Sequence, residues 1–484
     1  MSKIITLDRL SGFLTNLKGL FITKTDAEST YETKANAAAH LTKADAADTY
    51  ETKEDAATHL TKTEASKTYI TKADMADTYE SKTDAATHLT KTEAAGTYVT
   101  KDELNRRMRE GKSYSIIIDF SLSDPASMIA YTDDIDIASM DTRWFDELGL
   151  KLCVLKDGKV LYYLNPDNVT KQINGAAADI TTLGNDVMLE VPRMGTNCMW
   201  INRDKLKITI TTAPNRAGYD YRAFSLHKYN DCDKIYIGRY EAYATGNKLY
   251  SSSGKAPTCY TTLDNFRTYA RNRGAAYTDI GICDNILLQC LYLLIVKNFN
   301  SQAVIGRGVA DDTNIHNTGE ANTFGWLNTK STGKTNGKLA ICCLGIENFW
   351  GNTWAWEDGC IRNANRQYYM AQYADQYNTS GTGYEYICQA SAATSGYMCR
   401  VAGLPKFIFM QDATTTSVAG SETTYMCDFQ WIAEDRTVIP GHGAMHQDGS
   451  YIGAFSRDLD NNPANGESWS CTRLVYKHVE GGLL

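Results

Sequence analysis

The apolar positions of this chain change their spacing along its length. Over residues 23–103 a unit of nine or ten residues recurs, marked by Lys at 24, 34, 43, 53, 62, 72, 82, 91 and 101. Each Lys follows a Thr, or Ser81 in one unit. It stands two residues before Asp26, Asn36, Asp45, Asp55, Glu64, Asp74, Asp84, Glu93 or Glu103. This [ST]-K-x-[DEN] pattern is close to the capping box of a helix start. Alanines follow, then one larger ring: Tyr31, His40, Tyr50, His59, Tyr69, Tyr79, His88 or Tyr98. With one large side chain to bury, such a unit is not stable alone and must stack and associate with other copies. The pattern predicts an ordered, oligomeric shaft of short helices over 23–111. The three histidines then serve as packing variants of Tyr.

Past 105–111 (NRRMREG) the spacing shifts towards alternation. Residues 151–165, KLCVLKDGKVLYYLN, predict a hairpin whose turn is Asp157 and Gly158, the dipeptide favoured in type I′ turns. DVMLEVP (186–192) and KLKITITT (205–212) continue as strands, so 112–225 reads as a β-rich connector module. Residues 234–251 give a strand, a turn at Gly246 and Asn247, and a return strand. Helical spacing appears at 262–273, with Leu263, Phe266, Tyr269 and Ala270 on one face. A second helix is predicted over 279–298, apolar nearly all round and therefore buried. Residues 298–331 and 373–420 are rich in Asn, Thr, Gly and Ser and predict long loops.

Three of the eight tryptophans (Trp350, Trp354 and Trp356) fall within 345–359, GIENFWGNTWAWEDG. Glycines and asparagines surround them, which predicts a turn-rich segment anchored in a core by its rings. At 484 residues the chain exceeds one ordinary core and predicts several domains. A net charge of −8, without a long basic run, argues against nucleic-acid binding. The most apolar run, 286–296, is too short to cross a bilayer, so membrane insertion is not expected. Residues 1–21 are interrupted by Arg9 and Lys18, which predicts a short amphipathic helix and not a secretory signal. Thirteen cysteines without CxxC spacing predict free, buried thiols and no zinc site.

NFWGNTWAW (348–356) resembles the GNVWEW signature of the formylglycine-generating-enzyme-like branch of the C-type lectin fold. That branch includes receptor-binding tips of phage tail fibres diversified by retroelements, and the wording here is closer to those tips. Similar stretches are YYLNP (162–166), DVMLEVP, IGRYEAY (237–243) and SQAVIGRG (301–308). Gly449, Ser450, Gly453, Ala454, Phe455, Arg473, Leu474 and Val475 resemble the closing motif, in which a buried arginine precedes the last strand. The repeats resemble the trimeric shafts of phage tail fibres. The resemblance implies a multi-domain chain: an attachment segment (1–22), a trimeric repeat shaft (23–111), the connector module (112–225) and an α+β C-type-lectin-like receptor-binding domain (226–484). It also implies a homotrimer in a virion tail fibre, made in the host cytoplasm. Its partners would be a baseplate or tail protein at the N-terminus and a bacterial surface protein or glycan at the tip.

Family resemblance places receptor contacts in the closing segment, at His442, Met445, His446, Asp448, Tyr451, Arg457, Asp460, Asn461, Asn462, Asn465, Glu467 and Trp469. Small framework residues alternate there with polar and aromatic ones, as a rigid scaffold presenting a binding face requires. Trp469 has a core position as its alternative. No cofactor, metal or catalytic residue is expected. His442 and His446 are four apart, but Gly441 and Gly443 oppose the helix a metal pair would need. DLDNNPANGE (458–467) lacks the Gly at the sixth position and the Glu at the twelfth of a calcium loop. Two enzymatic alternatives remain. A formylglycine-generating or oxygenase-like enzyme would draw on Cys471 and Cys427, and a capsule depolymerase on Asp458 and Asp460.

Overall fold

The computed structural model describes residues 111–484 apart from 133–134, 229, 329–335, 390–394, 411–417, 434–435, 463 and 479–484. The N-terminal segment and the repeats lie outside the described residues. The chain divides into two units between Glu110 and Gly111, and the described residues belong to the second, Gly111–Leu484.

This second unit is β-rich with few helices. Its largest sheet has seven antiparallel strands in the order Tyr277–Asp279, Leu474–His478, Lys234–Gly238, Asp186–Pro192, Lys151–Lys156, Lys159–Asn165 and Asn168–Gln172. The Asp157 and Gly158 hairpin forms as its residue types dictate: both have positive φ, 48° and 76°, as a type I′ turn requires. Gly246 and Asn247, with φ 56° and 57°, close the Tyr243–Thr245 and Lys248–Tyr250 hairpin in the same way.

The sheet corrects one expectation. Residues 112–225 are not a module with a core of their own. Asp186–Pro192 is buried along nearly its whole length, so it needs a neighbour on each side. One neighbour, Lys151–Lys156, precedes residue 225, and the other, Lys234–Gly238, follows it. A four-stranded sheet, in the order Ile129–Tyr131, Ser113–Asp119, Lys205–Thr211 and Gly195–Trp200, belongs to the same compact unit.

Helix α1 is the short Arg143–Glu147. Helix α2, Leu263–Arg271, starts where the Thr262 hydroxyl accepts the Asn265 N–H, and it buries Leu263, Phe266 and Ala270. Helix α3, Ile282–Val296, is buried almost all round because both its sides are covered. It packs on Ser113–Asp119 and Lys205–Thr211. From elsewhere on its surface, Tyr292 meets the rings of Trp350 and Phe455, and the Gln289 amide donates to the Ala454 carbonyl at 2.7 Å. No helix among the described residues is long and apolar enough to cross a membrane.

The tryptophan segment is core. Trp350, Trp354 and Trp356 are all buried, the last two in the short strand Trp354–Trp356. The polar residues between the rings anchor the turn. The buried Glu241 carboxylate accepts from Asn348 (3.1 Å), Asn352 (2.6 Å) and Thr353 (2.5 Å). Arg473, buried before the last strand, donates to the carbonyls of Glu347 and Asn348. Gly351, with φ 81°, would place a Cβ 2.9 Å from the Val309 backbone, so only glycine fits there. All thirteen cysteines are free thiols: nine are buried and Cys259, Cys283, Cys388 and Cys399 are partly exposed.

Candidate functional site

The closing segment builds much of a six-stranded mixed sheet. Its order is Gly396–Tyr397, Phe429–Ile432, Arg457–Leu459, Gly441–His442, Trp354–Trp356 and Ser470–Cys471. One row across it is set by the partners Gln430–Arg457, Arg457–His442, His442–Ala355 and Ala355–Cys471. All five residues of that row are buried. Because strand side chains alternate, Trp431, Asp458, Trp354 and Trp356 occupy the other face.

The inward row corrects two expected receptor contacts. Arg457 lies on the core side, where its guanidinium meets both Glu357 carboxylate oxygens at 2.7 and 2.8 Å and Gln289 at 3.1 Å. A charge this deep must be paired, and here it is. His442 is also buried, 3.0 Å from the Ala454 carbonyl and against the Phe349 ring. Burial pushes its imidazole down to about 4. Neither side chain reaches the surface.

The other face gathers rings of graded exposure. Tyr451 is 44% exposed, and Tyr397, Phe429 and Trp431 are half-buried. Tyr451 sits 4.9 Å from Phe429, 5.6 Å from Tyr397 and 5.9 Å from Trp431, centroid to centroid. Trp431 in turn makes an edge contact at 5.2 Å with the buried Trp354. The tryptophan core thus continues outward into a surface aromatic patch. Tyr451 is carried on a 3-10 turn, Gly449–Tyr451, and Gln302 holds that turn by donating to the carbonyls of Ser450 and Ile452 at 2.8 and 2.7 Å.

Two carboxyl groups stand close by. Burial pushes Asp458 up to about 7, with negative Asp460 and Asp448 adding to the effect. It accepts the Asp460 N–H at 2.7 Å and the Asn461 amide. Burial also pushes Asp448 up to about 6, while it accepts the Met445 N–H at 2.8 Å. Both carboxyls therefore take up a proton at higher pH than ordinary surface carboxylates do, Asp458 close to neutrality and Asp448 below it.

The remaining expected residues scatter. Half-buried Met445 packs on the core, and His446 lies 3.3 Å from the Asn352 carbonyl, next to His316 and Asp312. Asp460 and Asn462 are exposed, and Asn461 is half-buried. Exposed Asn465 and half-buried Glu467 belong to a turn that reaches Tyr260, whose N–H donates to the Glu467 carbonyl. Trp469 is half-buried against the core, and its carbonyl accepts the Trp354 N–H. Tyr451, Asp448, Asp458 and Asn461 therefore gather at the ring patch, and His446 and Glu467 do not. Sequence reasoning missed Tyr397, Phe429 and Trp431. The alternation in Phe429-Gln430-Trp431 was the available signal.

For the enzymatic alternatives, Cys471 is buried and its thiol is pushed up to about 12, while burial also raises Cys427. Neither is poised as a thiolate. Among the described residues no group of three or more His, Cys, Asp or Glu side chains could hold a metal ion. Neither a protein-family model nor a curated protein matches this chain.

Proposed function

We propose that this chain is a receptor-binding tail-fibre protein of a phage or phage-like contractile particle. Its C-terminal unit adheres to a bacterial surface, its repeats form a trimeric shaft, and its N-terminus attaches to the particle. The observation that carries this reading is the ring patch of Tyr451, Tyr397, Phe429 and Trp431, rooted in the tryptophan core. Large rigid rings on a fixed sheet bind with little loss of side-chain entropy. The carboxyls of Asp448 and Asp458 add polar groups beside it, and the raised Asp458 shares its proton near neutral pH. Helix α2, packed on Tyr277–Asp279 at the edge of the antiparallel sheet in which the Lys234–Gly238 and Leu474–His478 strands pair, supports a C-type-lectin-like arrangement. Three tips on one shaft would turn weak single contacts into firm adhesion.

The test is adsorption of the purified full chain to host cells. Tyr451→Ala and Trp431→Ala should each weaken it, Tyr451→Ala without a change in melting temperature. Undiminished adsorption by both variants would place recognition elsewhere, with the loops of 310–335 and 373–420 next to be tested.

A further inference from the structure

Three of the four patch rings, Phe429, Trp431 and Tyr451, fall in a strongly acidic stretch of the chain. Residues 407–472 hold nine Asp or Glu against two Arg and no Lys. Of the two arginines, Arg457 is buried against Glu357 on the opposite face of the sheet, and Arg436 stands 3.8 Å from Asp460. The charges placed beside the rings are negative. Asp458 is the strand partner of Trp431, the Asp448 carbonyl accepts the Tyr451 N–H at 3.2 Å, and exposed Glu422 acts on Tyr397. The charged neighbours that move Asp458 most are Asp460 and Asp448, so its anion meets further negative charge.

An aromatic face carries negative potential of its own, so rings and carboxylates favour the same kind of occupant, a cation. Hydrogen bonding decides which kind. Both carboxyls already accept from the chain, Asp458 from the Asp460 N–H at 2.7 Å and the Asn461 amide, Asp448 from the Met445 N–H at 2.8 Å. A primary ammonium brings three N–H donors that need acceptors, and a guanidinium brings five. A quaternary ammonium brings none, and its methyl groups can lie directly on ring faces.

We propose that this patch binds a quaternary ammonium group of the choline type, held on the exposed Tyr451 ring and its neighbours within the field of Asp448 and Asp458. The occupant is a choline-bearing polymer of the cell surface. A bilayer is disfavoured as its source, because surfaces that lie on membranes surround their apolar face with basic residues and this stretch is acidic. The inference rests on the adhesin reading and deepens it by naming the receptor chemistry.

The test uses the full chain at pH 8, above the values of both carboxyls, with choline and its uncharged isostere 3,3-dimethyl-1-butanol as probes. Saturation-transfer NMR should show choline binding about tenfold more tightly than the alcohol. Tyr451→Ala should weaken both probes, and Tyr451→Phe should keep both. Asp458→Asn and Asp448→Asn should each weaken choline and leave the alcohol unchanged, with melting temperatures measured alongside to show that the variants fold. Saturating choline should compete with adsorption to host cells, and phosphatidylcholine vesicles should not retain the chain. Equal binding of the two probes, choline binding unchanged in Tyr451→Ala, or capture by the vesicles would overturn the proposal. Adsorption separates this proposal from the reading beneath it. Adsorption lost in Tyr451→Ala while choline neither binds nor competes sinks the ammonium proposal alone. Choline binding at the rings with adsorption indifferent to both Tyr451→Ala and Trp431→Ala leaves the ammonium site standing and sinks the adhesin role of the patch.

Discussion

At the scale of single residues, what separates the two faces of the six-stranded sheet is where charge can be compensated. Arg457 is tolerated inside because Glu357 and Gln289 are placed to receive it. Glu357→Ala leaves that guanidinium buried and unpaired, and should cost about 3–5 kcal/mol in denaturant unfolding. A cost below about 1 kcal/mol would mean that water reaches the pair. Asp458 makes the opposite prediction about pH. Its folded-state value, raised from 3.8 to about 7, means the native protein holds a proton that the unfolded chain releases earlier. Its contribution to stability is therefore complete below about pH 4 and is lost as pH rises through about 7. The slope reaches at most about 1.4 kcal/mol per pH unit. Asp458→Asn should flatten that part of the profile, and identical profiles for variant and wild type would refute the assignment. The sequence could not rank Arg457 against Tyr451 as contacts. Which way a strand residue points depends on its register with partners far along the chain, here Gln430 and His442.

At the scale of elements, the local signals were legible. The Asp157 and Gly158 hairpin, the Thr262-capped α2 and the apolar α3 were all readable because turn chemistry and periodicity are properties of neighbouring residues. The supposed boundary at 225 failed for the complementary reason. DVMLEVP showed that its strand is buried, but its second partner, Lys234–Gly238, starts 42 residues beyond its end at Pro192. The rings of NFWGNTWAW mark it as core from the sequence alone, whereas the pairing of its polar residues with Glu241 and Arg473 depends on distant segments. Trp354 links this element to the aromatic patch, so Trp354→Ala should cost about 3–5 kcal/mol and loosen Trp431 as well. Unchanged near-ultraviolet circular dichroism in that variant would show that the ring is not packed as described.

At the scale of the whole molecule, a repeat whose sequence units each carry one large ring precedes a compact unit that presents rings on a rigid sheet. The repeat predicts association, and light scattering on the full chain should give about three chain masses; a monodisperse monomer at micromolar concentration would remove the shaft reading. If recognition resides in the aromatic patch, adsorption of the labelled full chain to host cells will show it when wild type is compared with the Tyr451→Ala, Trp431→Ala double variant. The double variant should lose adsorption while its oligomeric mass and cooperative unfolding persist. Full adsorption by a folded double variant would contradict it.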